Sequence, residues 1–176
     1  RRIIRRGAQL ARDNAKPFTV MTFDPHPMAV IMPKNAPAKL TPLNEKLLQL
    51  SSAGAETVVV IHADERFLSI TAEQFVERIV VGRFRPTVVV EGPSFQYGSK
   101  RGGNVNTLRD AGVWFGFAVE VVDPVEVVSS SGQHKVVSSS RIRAALADGD
   151  AEWAWRALGR PYAIEGRVVE GRGLGR

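Results

Sequence analysis

The sequence contains no cysteine and no long uninterrupted hydrophobic run. Without cysteine the chain can form no disulfide, no zinc–thiolate site and no thiol nucleophile, and a reducing compartment is expected. A membrane-spanning helix needs about 18 consecutive apolar residues, whereas the longest apolar stretches here, such as Val58–Ile61, have the length of a strand. No apolar segment of the signal-peptide type follows the first arginines. We therefore predict a cytoplasmic protein with no membrane partner.

Several familiar catalytic and nucleotide-binding signatures are also missing. The sequence has no Gly-Lys pair, which excludes a Walker P-loop, and no Gly-x-Ser-x-Gly nucleophile elbow. Its three histidines, His26, His62 and His134, lie too far apart in sequence for a recognisable metal motif. We expect no metal-ligating side chains and no covalent catalysis.

Positive charge is concentrated at the two ends of the chain, which has a net charge of +6 at pH 7. Residues 1–16 carry six basic side chains against one acidic, and residues 156–176 carry five against two. The part between them is therefore net negative and offers no broad cationic face for a phosphate backbone. We expect no nucleic-acid partner.

Short apolar strands alternate with amphipathic helices over the first two thirds of the chain. The predicted strands are Phe18–Phe23, Thr57–Ile61, Thr87–Glu91 and Phe115–Val122. The predicted helices are one with apolar positions Ile3, Ile4, Ala8 and Ala11, one from Thr41 to Gly54, one from Thr71 to Gly82 with a capping box at Thr71–Gln74, and one over Val105–Ala111. This alternation is typical of an α/β fold with a doubly wound parallel sheet. Because such a pattern begins with a strand and this chain begins with a helix, we expect a strand before Arg1.

The last third of the chain has a different pattern. It predicts a hairpin of Val125–Val128 and Lys135–Val137 about the turn Ser131–Gln133, then two short helices ended by Gly149 and Gly159. A segment of β character, Tyr162–Val169, follows. The glycine-rich Gly171–Gly175 is a poor dinucleotide fingerprint, because no helix follows it.

Ligands of parallel sheets bind at the carboxyl ends of the strands, and two loops there combine stiff or aromatic residues with polar ones. Asp24–Pro27 (DPHP) has two prolines, and it is either a rigid substrate loop or a turn that Asp24 caps with His26 satisfied nearby. Gly92–Gly103 places Phe95 and Tyr97 between glycines, and it is either a ligand-covering flap or a mobile surface loop. Of the two rings, we expect Phe95 to pack against the sheet and Tyr97 to face the ligand.

The segment Ser138–Arg143 (SSSRIR) has the clearest anion-binding logic. Three hydroxyl residues open a predicted helix, so free backbone N–H groups, hydroxyls and the positive end of the helix dipole act together. Arg141 and Arg143 add planar, charge-assisted donors that suit phosphate oxygens. The alternative is a plain serine N-cap with surface arginines.

Taken together, these segments resemble the FAD synthetase part of bacterial bifunctional riboflavin kinase/FAD synthetases. The similar segments, which occur in the same order at fitting spacings, are Thr22–Pro27 (TFDPHP), Leu40–Pro42 with Lys46, Glu73–Val76 (EQFV), Gly92–Gly98 (GPSFQYG), Val137–Arg143 (VSSSRIR) and Leu158–Tyr162 (LGRPY). The resemblance spans essentially the whole chain, and the combination is specific although no single segment is.

The resemblance implies a Rossmann-like sheet of the nucleotidyltransferase type and an enzyme that joins FMN to the AMP part of ATP, giving FAD and pyrophosphate. It implies that ATP, arriving with Mg²⁺, is held by its phosphates on Ser138, Ser139, Ser140 and Arg143. Of these, the resemblance makes Ser139, Ser140 and Arg143 the candidate catalytic residues. It implies that FMN is held by Asp24, Pro25, His26, Pro27, Ser94, Phe95 and Tyr97.

Two departures from the family pattern concern the site. The family's His-x-Gly-His segment is absent, and it is expected immediately before Arg1, so that the domain over residues 1–158 lacks its first strand and has little activity alone. Ser94 stands where the family usually has Asn or Asp, which shortens the reach of that side chain. Residues 159–176 resemble the linker and opening strand of a riboflavin kinase domain, which is expected as a partner in the same full-length chain.

Two other functions stay open at this point. One is an adenylyltransferase for a different phosphate acceptor, such as a nicotinamide or pantetheine phosphate. The other is a flavin-nucleotide binding module without turnover.

Overall fold

A computed structural model describes residues 2–129, 132–164, 166–169 and 171. They divide into two compact units. The first comprises the described residues of 1–38 and 43–125, and the second those of 39–42 and 126–176. None of the helices within the described ranges is both long and apolar enough to cross a bilayer.

The described strands, in chain order, are β1 (Thr19–Phe23), β2 (Thr57–Ile61), β3 (Val88–Glu91), β4 (Gln96–Tyr97), β5 (Gly103–Asn104), β6 (Ala118–Val121), β7 (Glu126–Val128) and β8 (His134–Val136). The described α-helices are α1 (Arg2–Asp13), α2 (Pro27–Ile31), α3 (Leu43–Ser52), α4 (Glu65–Leu68), α5 (Ala72–Gln74), α6 (Val105–Phe115), α7 (Ser139–Ala147) and α8 (Ala151–Leu158). Helix α5 continues as a π-helix over Phe75–Phe84, and single 3₁₀ turns occupy Pro33–Asn35 and Ser99–Arg101.

The first unit contains two parallel strand pairs, which confirms the predicted α/β class. Strand β1 pairs with β2 in the register Thr19↔Thr57, and β3 pairs with β6 in the register Val88↔Ala118. In the described chain, β1 has no second strand neighbour and neither does β3. All four strands are only half-buried, although their apolar sequences are typical of strands covered on every side.

Helices cover both faces of these strands. Successive strand residues point to opposite faces. Met21 packs against a core cluster formed by the π-helix, α6 and their neighbours, whereas the next residue, Thr22, contacts Lys46 of α3. Helix α1 packs close to the residues that flank these strands, because a methyl group on Gly7 would overlap the Phe18 ring and one on Gly92 would touch Ile3.

The helix of residues 72–84 confirms its predicted start and differs at its end. Gln74 N–H donates to Thr71 Oγ1 at 3.2 Å while Thr71 N–H donates to Gln74 Oε1 at 3.1 Å, the reciprocal pattern of a capping box. The helix passes the predicted end at Gly82 and stops at Arg85, which has a left-handed φ of 45°. Arg85 N–H donates to Val80 O at 3.1 Å, a π-type bond five residues back.

Helix α6 corrects the predicted boundary of the fourth strand. Asn104 caps the helix by accepting hydrogen bonds from the N–H groups of Asn106 and Thr107. The helix continues to Phe115 and ends at Gly116, whose φ of 78° is the usual left-handed C-terminal conformation. The prediction that a strand begins at Phe115 is therefore wrong, and β6 starts at Ala118.

The second unit has its own apolar cluster. Strands β7 and β8 form the predicted antiparallel hairpin, with Val127 opposite Lys135. Ile142 of α7 and Trp153 and Ala154 of α8 are buried together. The predicted β segment Tyr162–Val169 is wrong for its described residues, 162–164 and 166–169, which form no strand. Ser131 of the predicted turn, Glu165, Glu170 and residues 172–176 lie outside the described residues.

Candidate functional site

The Asp24–Pro27 loop is fixed where β1 ends. Asp24 N–H donates to Ile61 O at 3.1 Å, which ties the start of the loop to the end of β2. The Asp24–Pro25 peptide bond is cis. His26 Nδ1 accepts a hydrogen bond from Met28 N–H at 3.2 Å and so caps α2, in which Pro27 takes the first position. In a neutral His26 the ring proton is therefore assigned to Nε2.

The Gly92–Gly103 segment contains a short antiparallel hairpin. Strands β4 and β5 pair with Gln96 opposite Asn104. Gly98 has a φ of 72°, and a Cβ on it would lie 2.6 Å from the backbone nitrogen of Ala72. Ser99 N–H also donates to Ile70 O at 2.7 Å. The hairpin is thus attached to the start of α5, and only glycine fits at position 98.

Tyr97 is a core residue, which corrects the expectation that Phe95 is the ring that packs. Tyr97 is 7% exposed, whereas Phe95 is half-buried at the edge of the same cluster. The Tyr97 hydroxyl lies 3.1 Å from Thr107 Oγ1, and burial raises the pKa of this phenol. Tyr97 stacks beneath Phe95 with ring centroids 5.5 Å apart. Phe95 is therefore the ring of this pair that is available to a ligand.

A row of aromatic rings connects the two loops. In order, with centroid separations of 5.7, 6.4, 5.3 and 5.5 Å, the row is Phe23, Phe67, Phe75, Tyr97 and Phe95. Phe23 directly precedes the Asp24 loop, and Phe95 lies in the second loop. The aromatic row thus supports both loops on one packed cluster.

The Ser138–Arg143 segment opens α7 in the second unit, as the sequence predicts. Ser138 is the N-cap, and its Oγ accepts from Arg141 N–H at 3.3 Å. Ser139 and Ser140 are exposed in the first turn, and Arg143 is half-buried. The Arg141 guanidinium donates to Val136 O at 3.0 Å, which directs it to β8. The helix N-terminus presents free N–H groups and hydroxyls, which suit an anion.

Glu91 is a site-edge residue that sequence reasoning missed. It ends β3, directly before the glycine-rich hairpin. Burial raises the pKa of its carboxyl to about 7, although a hydrogen bond from Gly92 N–H acts in the opposite direction. An acidic residue ending an otherwise all-apolar strand was the available signal.

The described residues contain no cluster of three or more His, Cys, Asp or Glu side chains that could hold a metal ion.

A groove of about 250 Å³ lies between α2 and α4, next to the Asp24–Pro27 loop. It is lined by Val30, Ile31, Glu65, Leu68 and Ser69.

Comparison with known proteins identifies relatives over nearly all of the chain. A family model described as FAD synthetase matches residues 1–141. The chain is 36% identical over 160 residues to a bifunctional riboflavin kinase/FMN adenylyltransferase of Escherichia coli (strain K12), covering 91% of this chain and 50% of that protein. It is 36% identical over 174 residues to the protein of the same name from Haemophilus influenzae, covering 99% of this chain and 55% of that protein. The chain thus spans about half the length of the curated relatives it matches.

A solved structure shares the fold. The chain superposes on a crystal structure of a macrolide-efflux protein from Streptococcus pneumoniae with a TM-score of 0.78 and 26% identity, over 97% of this chain and 55% of that one. Macrolide efflux is the role that the name gives to that protein, and the superposition shows that the two chains share a fold.

Replacing Tyr97 tests its role as a core residue. We expect Tyr97→Ala to lower the free energy of unfolding by about 3–5 kcal/mol, the usual cost of removing a buried aromatic ring. Tyr97→Phe keeps the ring and loses only the contact with Thr107, so about 1 kcal/mol is expected. Chemical denaturation of both variants measures the difference. Equal stability of Tyr97→Ala and the parent chain would contradict the packing role.

Glu91 predicts a pH dependence of stability. The pKa of the Glu91 carboxyl is raised in the folded state, so the folded protein binds this proton more tightly than the unfolded chain does. The resulting contribution to the free energy of unfolding is complete below the unfolded-state pKa of 4.5 and is lost as the pH rises through about 7. The loss amounts to about 3 kcal/mol between pH 4 and pH 8.

The measurement is denaturation across that pH range for the parent chain and for two variants. Glu91→Gln should remove this part of the pH dependence. The matched control Glu77→Gln, on the exposed side of the π-helix, should retain it. A Glu91→Gln profile parallel to that of the parent would show that Glu91 does not cause the dependence.

Proposed function

Since the chain belongs to the FAD synthetase family, whose model matches residues 1–141, we propose that it transfers the AMP part of ATP to FMN, forming FAD and pyrophosphate. The main support for this proposal is the aromatic row. It joins the Asp24–Pro27 and Gly92–Gly98 loops, which both resemble family segments, through one packed cluster. Two loops with proline and aromatic walls suit a flat, largely apolar ring such as that of a flavin.

On the flavin side we assign stiff walls and a few polar groups. The proposed FMN-binding residues are Asp24, Pro25, His26, Pro27, Ser94 and Phe95. Tyr97 enters the proposal as the ring that supports Phe95, since its own faces are buried. Ser94 is exposed beside Phe95 and can offer a hydroxyl to a polar edge of the ligand.

On the nucleotide side we assign the start of α7. Ser138, Ser139, Ser140 and Arg143 are the proposed ligands of the ATP phosphates, with Ser139, Ser140 and Arg143 as the catalytic group. Ser139 and Ser140 are exposed in the first turn of the helix, where the dipole favours negative charge. The guanidinium of Arg143 suits the charge that develops on the leaving pyrophosphate.

The proposed reaction needs no protein nucleophile. A phosphate oxygen of FMN attacks the α-phosphorus of ATP in line, and the bond between that phosphorus and the bridging oxygen to the β-phosphate breaks. The protein holds both reactants and donates hydrogen bonds to the departing pyrophosphate. Magnesium is proposed to arrive with ATP, because Mg²⁺ is commonly held by substrate phosphates and one or two carboxylates.

The fold is proposed to be a Rossmann-like, doubly wound sheet of the nucleotidyltransferase type. Two observations support this proposal. Strands β1 and β3 each have one unpaired edge in the described chain, and both strands are apolar but only half-buried. A parallel strand between them, connected to α1 by a right-handed crossover, would pair both edges.

The domain organisation is also a proposal. We assign residues 1–158 to the adenylyltransferase domain and residues 159–176 to the linker and first strand of a riboflavin kinase domain. The support is the length and the names of the relatives, which are about twice as long as this chain and bifunctional. A cytoplasmic location is proposed from the biosynthetic role.

Pyrophosphate release tests the function. The full chain, meaning residues 1–176 with any residues that its gene encodes before and after them, is incubated with Mg²⁺, ATP and one phosphate acceptor. FMN should support release of pyrophosphate, whereas nicotinamide mononucleotide and phosphopantetheine should not. Release with another acceptor but not with FMN would make the chain an adenylyltransferase of different specificity. FMN binding without any release would make it a binding module.

Arg143→Ala should reduce turnover through lost stabilisation of the transition state. The expected loss in kcat/KM corresponds to about 2–4 kcal/mol, the range for one preorganised charged or oxyanion donor. Arg141→Ala is the matched control, because its guanidinium is directed to Val136 O. FMN affinity should change little in either variant. Equal losses of ATP and FMN binding by folded Arg143→Ala would assign Arg143 a structural role instead.

A further inference from the structure

Lys46 occupies a position in α3 where the helix periodicity calls for an apolar residue. The apolar residues Leu43, Leu47 and Leu50 recur at three- and four-residue spacing and form the half-buried stripe of this helix. Lys46 lies three residues after Leu43 and four before Leu50, so it belongs to the same stripe. Its side chain is also half-buried. The methylene stem of Lys46 can pack beside these leucines, and its ammonium brings a positive charge to this stripe.

The ammonium group of Lys46 lies at the end of β1 where ligands of parallel sheets bind. Lys46 Nζ is 3.4 Å from Thr22 Oγ1. Thr22 is the penultimate residue of β1, and the Asp24–Pro27 loop begins two residues later. The group therefore lies beside the carboxyl edge of the strand, on the face covered by α3.

Within the described chain, Lys46 has no carboxylate partner. Its hydrogen-bond partner is the neutral hydroxyl of Thr22. The adjacent carboxylate of Glu45 is engaged by Gln49, whose Nε2 donates to Glu45 Oε1 at 2.6 Å. An ammonium has three donors, and the contact with Thr22 uses one of them. The geometry leaves two donors for an anion.

We propose that Lys46 is a phosphate-binding residue, which donates to a phosphoryl oxygen of the reactants at the carboxyl end of β1. This inference rests on the proposed function, because that function supplies two phosphate-bearing ligands, FMN and ATP. The chemistry shared by the two is a dianionic or more highly charged phosphoryl group, which a compact ammonium recognises as a point charge. Thr22 orients the ammonium from the strand.

Binding of three probes to the full chain distinguishes the sources of the phosphate. FMN carries the flavin ring and a phosphate, riboflavin carries the ring alone, and Mg²⁺·ATP carries the nucleotide phosphates. Because a riboflavin kinase domain in the full chain would bind the same ligands, the constants are taken from FAD formation: KM for FMN, KM for Mg²⁺·ATP and the inhibition constant of riboflavin, each for the parent chain, Lys46→Met and Lys46→Arg. The control Lys16→Met removes the same charge from the exposed segment between α1 and β1, which leads to the other end of that strand.

We expect Lys46→Met to weaken binding of FMN or of Mg²⁺·ATP by about tenfold or more, as for loss of one charge-assisted hydrogen bond. A loss confined to FMN assigns the flavin phosphate, and a loss confined to Mg²⁺·ATP assigns the nucleotide phosphates. Riboflavin affinity should stay unchanged, Lys46→Arg should recover part of the loss, and Lys16→Met should bind all three probes as the parent does.

Four results would overturn the inference. Unchanged affinity of Lys46→Met for both phosphate ligands would show that Lys46 does not bind phosphate. Equal weakening of riboflavin and FMN, or a large fall in the melting temperature with loss of all three ligands, would assign Lys46 to packing. A parent chain that forms no FAD from FMN and Mg²⁺·ATP would refute the proposed function itself, and this inference with it.

Discussion

The packed aromatic row from Phe23 to Phe95 is the interaction on which the candidate site depends. Each ring contact adds about 0.5–1.5 kcal/mol beyond the burial of area, so the row stabilises the cluster on which both loops lie. It begins one residue before the Asp24–Pro27 loop and ends at the half-buried ring of Phe95 in the glycine-rich hairpin. The close approach of Gly98 to α5 fixes the same hairpin from its other side. Both loops are therefore attached to one packed cluster.

Two ionisable side chains lie near the ends of strands in the first unit. Glu91 and Lys46 each interrupt a run of apolar residues, at the end of β3 and within the stripe of α3. Burial raises the pKa of the Glu91 carboxyl. Within the described chain, the hydrogen-bond partner of the Lys46 ammonium is the hydroxyl of Thr22. Charged groups placed in this way cost folding free energy. Glu91 ends β3 and Lys46 contacts the end of β1. These positions favour an account in which a proton on Glu91 and a bound anion at Lys46 offset that cost.

Sequence reasoning located the elements whose signals are local and misjudged those decided by tertiary packing. The capping box at Thr71–Gln74 and the hairpin of β7 and β8 follow from side-chain chemistry within a few residues. The start of β6 could not be predicted in this way, because an apolar Phe115 suits the end of α6 as well as the start of a strand. The left-handed Gly116 marks where α6 ends. Nor could sequence tell which of Phe95 and Tyr97 is buried, since that depends on Phe75 and Thr107, which are distant along the chain.

The fate of the α-phosphate tests the central claim most directly. Two samples of the full chain are incubated with FMN, Mg²⁺ and ATP, one with ATP labelled at the α-phosphate and the other with ATP labelled at the γ-phosphate. Adenylyl transfer predicts that the α label appears in FAD and the γ label in pyrophosphate. Label from the γ-phosphate in a flavin product, or no labelled flavin from either sample, would contradict the account.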